Sequence, residues 1–193
     1  MTIRNARPQD ADAISQLMLL AMEEIIYDFI CQRNKQEALN FLAYFIRLES
    51  NQYSYQNILV VEDANVIIAQ VCLYPGKDLL ALRKPIIAYL LENYGHNLKP
   101  ENETQEGEIY LDTLAVSTLE QGKGIGKILL QFVIDKYVYI EKQRLGLLVD
   151  KINPNAKSLY LKLGFEVQTN LLIFGKEMEH LQVIPTKTEY YNQ

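Results

Sequence analysis

Apolar residues recur at helical spacing near the start of the chain. Ile14, Leu17, Met18, Ala21, Ile25 and Phe29 fall on one broad stripe, which predicts a helix over 11–30. A second helix is predicted over 35–48, with Leu39, Leu42, Phe45 and Ile46 facing inward. A short strand at 2–6 precedes them and is broken by Arg7-Pro8-Gln9-Asp10. Residues 57–62 and 66–74 read as strands around the turn Asp63-Ala64-Asn65, a hairpin. Residues 79–93 suggest a helix, with Pro85 near its start or as a kink, and 94–107 a polar, irregular loop. A strand at 108–116, a helix at 126–140 and a short, fully apolar strand at 145–149 follow; the last suits a central place in a sheet. A helix at 155–163 is stopped by Gly164, and strands at 165–169 and 171–178 close the pattern. This order predicts an α/β fold, a mixed sheet of about seven strands with helices on both faces. No repeat or linker divides the chain, so a single domain over 1–193 is expected, with an insertion over 75–107 and a polar tail over 185–193.

The chemistry concentrates where the strand at 108–116 gives way to a helix. Gln121-Gly122-Lys123-Gly124-Ile125-Gly126 leaves backbone amides uncovered where that helix begins. The first amides of a helix have no internal partner, and the helix dipole adds partial positive charge, so an anion site for a phosphate or pyrophosphate is expected. Two glycine-rich motifs are excluded by spacing. A P-loop fails because Lys127 is followed by Ile128 and the position five before Gly126 is Gln121. A dinucleotide fingerprint fails because its last glycine would fall on Lys127 or Leu129.

What remains is Q-x-x-G-x-G, formed by Gln121, Gly124 and Gly126. It resembles the GNAT superfamily of acyl-CoA-dependent N-acetyltransferases. A second segment, NPNAKSLYLKLGF from Asn153 to Phe165, is similar to the family's region ending in L-Y-x-K-x-G-F. The resemblance spans about Glu108 to Phe165 and implies a sheet splayed open beside the strand before the loop. It implies acetyl-CoA as the acyl donor, its pyrophosphate held by the amides of Gln121, Gly122, Lys123, Gly124, Ile125, Gly126 and Lys127. By position, backbone groups of Leu114, Ala115 and Val116 would meet the pantetheine arm and the acyl carbonyl, and Asn155 the cofactor arm. Asn153 reads as a helix cap. The resemblance makes Tyr160 the general acid for the leaving thiolate; the alternative is a tyrosine packed on the sheet.

An alkyl ammonium must lose a proton before it attacks a thioester, and a carboxylate is the usual base. Alternation places Glu108, Tyr110, Asp112, Leu114 and Val116 on one strand face. Asp112 is the nearer candidate base and Glu108 the farther; the alternative is that both are polar positions or ion-pair partners. The resemblance implies that the insertion lies beside the acceptor cleft, so Arg83, Lys84, Tyr89, Tyr94 and His96 are candidates for shaping a substrate pocket or a dimer contact, with Tyr27, Asp28 and Tyr53 as further candidates; the alternative is a solvent-covering helix and loop.

Charge and composition narrow the partners. A net charge of −5 gives no reason to expect nucleic acid. No apolar run is long enough to span a membrane and the N-terminus has no apolar signal region, so a cytoplasmic protein is expected. Cys31 and Cys72 read as buried thiols, and only His96 and His180 occur, so no metal site is expected. The function expected is acetyl transfer from acetyl-CoA to a primary amine, in a ternary complex, with a small amine or amino-acid-like acceptor; a homodimer is possible. The alternatives are acetylation of a protein N-terminus or lysine, and a non-catalytic acyl-CoA sensor.

Overall fold

The computed structural model describes residues 1–173 and 175–185; the polar tail expected over 185–193 lies, from residue 186, outside them. The elements follow the order read from the sequence: β1 (Thr2–Asn5), α1 (Ala11–Phe29), α2 (Lys35–Arg47), β2 (Ile58–Asp63), β3 (Val66–Pro75), α3 (Leu79–Tyr94), β4 (Ile109–Val116), α4 (Ile125–Ile134), β5 (Leu145–Asp150), α5 (Pro154–Lys162), β6 (Glu166–Ile173) and β7 (Lys176–Val183). The seven strands form one mixed sheet in the order β1-β2-β3-β4-β5-β7-β6, in which only β4 and β5 pair in parallel. Helices α1, α2 and α3 pack their apolar faces on one side, around Ile14, Phe41 and Ile86. Helices α4 and α5 cover the other side, around Leu129, Val133 and Phe165. Among the described residues no helix is long and apolar enough to cross a membrane.

Four local expectations need correction. Helix α1 has a non-helical residue at Met22 (φ −139°, ψ 28°), and beyond it the buried stripe runs through Met22, Ile26 and Phe29, not Ala21 and Ile25. The helix expected to run to residue 140 keeps α geometry only to Ile134 and widens to a π-helix over Asp135–Ile140. Strand β6 continues through Asn170, and the chain turns back at Gly175 (φ 70°), so the strand expected over 171–178 is two strands. Cys72 is buried, but Cys31 is exposed.

The most consequential departure lies in β4. Cys72 of β3 opposes Thr113 while Leu73 opposes Leu111, so Asp112 is an extra residue without a partner across the pair, a β-bulge. A bulge reverses the alternation beyond it. Tyr110 packs with the α1–α3 side and Asp112 bonds Tyr74 on that side. Leu114 and Val116 instead pack with Leu111 against the α4 side. The single face expected for Glu108 through Val116 is therefore broken at Asp112.

Strands β4 and β5 pair only over Ile109↔Leu145, Tyr110↔Gly146 and Leu111↔Leu147. Beyond Leu111 they separate, while β5 continues its pairing with β7 to Asp150. The closed end of this splay is strapped by Glu108. Its carboxylate accepts from Thr104 Oγ1 (2.5 Å), Gln182 Nε2 (2.7 Å) and His180 Nε2 (2.9 Å). The carboxylate lies over Gly146, where an added Cβ would stand 1.8 Å from Glu108 Oε2. Gly146→Ala should therefore displace a buried, fully engaged carboxylate and destabilise the fold by about 3 kcal/mol, at the upper end of overpacking costs. Urea unfolding of the two proteins measures the difference.

Candidate active site

The splay leaves one edge of β4 uncovered between Asp112 and Val116. On that edge a cleft of about 560 Å³ is lined by Leu114, Ala115, Val116, Glu120, Gln121, Gly122, Gly124, Ile125, Gly126 and Lys127, with Leu20 and Ala21 of α1 and Leu159 of α5. The glycines shape it in two ways. Gly122 (φ 80°) and Gly124 (φ 82°) hold the left-handed conformation that glycine adopts without strain. Gly126 has room on its chain side, where an added Cβ would meet Val116 Cγ2 at 3.5 Å. Gln121 Nε2 donates to Val116 O at 3.1 Å and ties the loop to the end of the strand. Helix α4 has no side-chain cap, and its first internal bond here is from Ile128 N to Gly124 O. The amides before Ile128 are thus available to an anion, which fits the pyrophosphate of an acyl-CoA. Lys127 lines the cleft; Lys123 does not, and pairs with Glu120 at 3.0 Å.

A second cavity, of about 220 Å³, opens on the same break in the sheet and meets the first at Ala21 and Leu114, which line both. Its wall includes Met22, Ile25 and Phe29 of α1, Tyr160 of α5, and Gln52, Glu103, Tyr110 and Asp112. The bulge aims Asp112 into this cavity. Asp112 Oδ2 accepts from Gln52 Nε2 and from the Tyr74 hydroxyl, each at 2.7 Å. Gln52 in turn accepts from Arg83 Nε (3.2 Å), and Arg83 Nη2 donates to Glu103 Oε1 (2.7 Å). One buried guanidinium therefore serves two carboxylates. Burial raises the Asp112 carboxyl above its ordinary value, against the bonds from Gln52 and Tyr74 and the charge of Arg83. Burial, and then the charge of Asp112, push Glu103 up to about 7, against the pull of Arg83. The two carboxylates titrate as a pair, and around neutral pH they are poised to take up a proton.

The structure brings together Asp112, Tyr160 and Leu114–Val116 from the expected set. Tyr160 lines the second cavity, its ring 5.7 Å from that of Phe165, and its hydroxyl has no hydrogen-bond partner among the described residues. Burial raises its pKa, so it stays protonated. Glu108 is placed elsewhere. It does not line the second cavity, and although burial works to raise its pKa, the bonds from His180, Thr104 and Gln182 hold it low. Asn153 caps α5, accepting from Ala156 N at 3.1 Å, while Asn155 is exposed and lines neither cleft. Of the pocket candidates, Tyr53 lines the cavity and Arg83 stands behind its wall. Tyr27, Tyr94 and His96 are engaged with Glu23, Glu37 and the Phe29 carbonyl, and Tyr89 packs on Phe41 and Phe45. Glu103 and Gln52 are the residues that sequence reasoning missed. Both sit outside regular elements, and no spacing rule points to them.

Comparison with known proteins agrees with this geometry. A model of the acetyltransferase (GNAT) family matches residues 22–165. A solved acetyltransferase structure is 31% identical with a TM-score of 0.79, covering 96% of this chain and 100% of its own. An N-acetyltransferase from Staphylococcus aureus Mu50 is 24% identical with a TM-score of 0.82, covering 95% of this chain and 100% of its own. The spermidine/spermine N-acetyltransferase SpeG from Vibrio cholerae, in mutant forms, shares the fold at 19% identity and a TM-score of 0.56, over 95% of this chain and 93% of its own. A search of curated proteins found no match.

Proposed function

We propose, from the premise that the chain belongs to the GNAT acetyltransferase family and is an acyltransferase, that it moves an acetyl group from acetyl-CoA directly to a primary amine. The observation that supports this reading is the junction of the two clefts at Ala21 and Leu114, with an uncapped helix N-terminus on one side and a carboxylate pair on the other. Acetyl-CoA supplies a thioester whose carbonyl carbon accepts a neutral amine. The residues of the chain do the rest. The amides of Gln121–Lys127 hold the pyrophosphate, with charge from Lys127. An uncovered amide among Leu114–Val116 bonds the thioester oxygen as negative charge develops on it. Asp112, held by Gln52 and Tyr74 and facing the charge of Arg83, takes the proton from the ammonium. The C–N bond then forms as the C–S bond breaks, and Tyr160 gives its proton to the sulfur. Glu108 holds the closed end of the splay and so positions β4.

The test is thermal stabilisation by CoA together with thiol release from acetyl-CoA over a panel of amines. Stabilisation and amine-dependent release are expected. Absence of stabilisation at saturating CoA contradicts the assignment of the glycine loop. A pH profile follows from the raised carboxyls. A base must be ionised to work, so a raised pKa moves the onset of activity to higher pH. kcat/KM should rise with pH as the Asp112–Glu103 pair ionises, the later step at about 7, to which Glu103 is pushed. In Glu103→Gln that limb should move to lower pH, because the late ionisation at about 7 is lost and that of Asp112 alone remains. A limb that does not move removes Glu103 from the proton pathway.

A further inference from the structure

The acceptor-side cavity shows its charge unevenly. Glu103 and Asp112 line it, and among its described lining residues there is no Lys, Arg or His. The counter-charge, Arg83, is absent from the wall; its side chain is 4% exposed. Its guanidinium is also committed, donating to Gln52 Oε1, to the Glu101 carbonyl and to Glu103 Oε1. Two carboxylates against one guanidinium leave one negative charge unbalanced when both are ionised. A ligand cation in the cavity would balance it, while a ligand carboxylate would face two like charges with no accessible donor cation. The rest of the wall mixes neutral polar groups, such as Gln52 and Thr113, with an apolar part from Met22, Ile25, Phe29, Leu148 and Met178. At about 220 Å³ the space is below that of ordinary drug-sized pockets and suits a short apolar stem.

We infer that this cavity takes, as the acceptor, a small alkylammonium with no carboxylate beside its amine, held as the cation between Glu103 and Asp112. The inference rests on the transferase reading and narrows it, setting aside the amino-acid-like acceptor. Matched ligands isolate the charge. Pentylamine, norleucinamide and norleucine share a four-carbon stem and differ at the carbon bearing the amine, which carries hydrogen, a neutral amide or a carboxylate.

The experiment is calorimetric binding of the three to the CoA-saturated protein at pH 7. Pentylamine and norleucinamide should bind about thirtyfold or more tightly than norleucine. In Glu103→Gln, with its stabilisation by CoA retained as the check on folding, the preference should fall below about fivefold. Norleucine binding within about threefold of norleucinamide overturns the inference. So does binding by none of the three, or a preference undiminished in the variant. The wild-type comparison stands without any variant. Loss of CoA stabilisation or of thiol release strikes the transferase reading instead, so the two failures are distinguishable.

Discussion

Asp112→Asn should lower kcat for an amine acceptor about 100-fold or more at pH 7 while leaving CoA affinity unchanged. Asparagine matches the carboxylate in shape and can still meet Gln52 and Tyr74, which bond Asp112 at 2.7 Å. What it cannot do is take a proton. The loss should therefore shrink as pH rises, because alkaline solution supplies the amine already neutral. A steady-state profile from neutral to alkaline pH reads this directly. A loss of constant size across the range would assign Asp112 to the architecture of the bulge and remove it from proton transfer.

Tyr160→Phe should cost about 100-fold to 10,000-fold in kcat, with the dissociation constant for CoA within about twofold of wild type. Phenylalanine keeps the ring contact with Phe165 and removes only the hydroxyl. That hydroxyl has no partner among the described residues, so its loss leaves no bonded group stranded. The cost should then be chemical, because the sulfur must leave without a proton donor. Burial raises the pKa of the phenol and so keeps the proton available across the working range. A kcat within a few-fold of wild type would take Tyr160 out of the reaction.

The order of elements was legible because most of them carry their own periodicity and β5 stands out as a short apolar run. The glycine loop was legible too. Gly124, a motif position, holds positive φ just before α4, and Gln121, the motif's first residue, donates to Val116 O. The acceptor side was much less so. A bulge is one residue out of register between two strands, and nothing in β4 alone marks Asp112 as that residue. The alternation that put Leu114 and Val116 on the face of Tyr110 is correct only up to the bulge. Glu103 comes from a polar stretch with no regular structure, and its place depends on Arg83 reaching from α3. Gln52 likewise meets Asp112 across 60 positions of sequence. Such contacts are tertiary and leave no local pattern. Glu108 shows the same limit in reverse. Its spacing from Asp112 suggested a second base, yet His180 and Gln182 reach it from 72 and 74 positions away and, with nearby Thr104, make it a strap.

The central claim is that the acetyl group passes from acetyl-CoA directly to an amine. Its most direct test is to incubate the protein with acetyl-CoA and pentylamine and to quantify free CoA and acetylated amine together. The account expects equal amounts of the two, with neither formed when the amine is left out. Stabilisation by CoA with no acetylated product from pentylamine or any other primary amine would contradict it and leave an acyl-CoA-binding module.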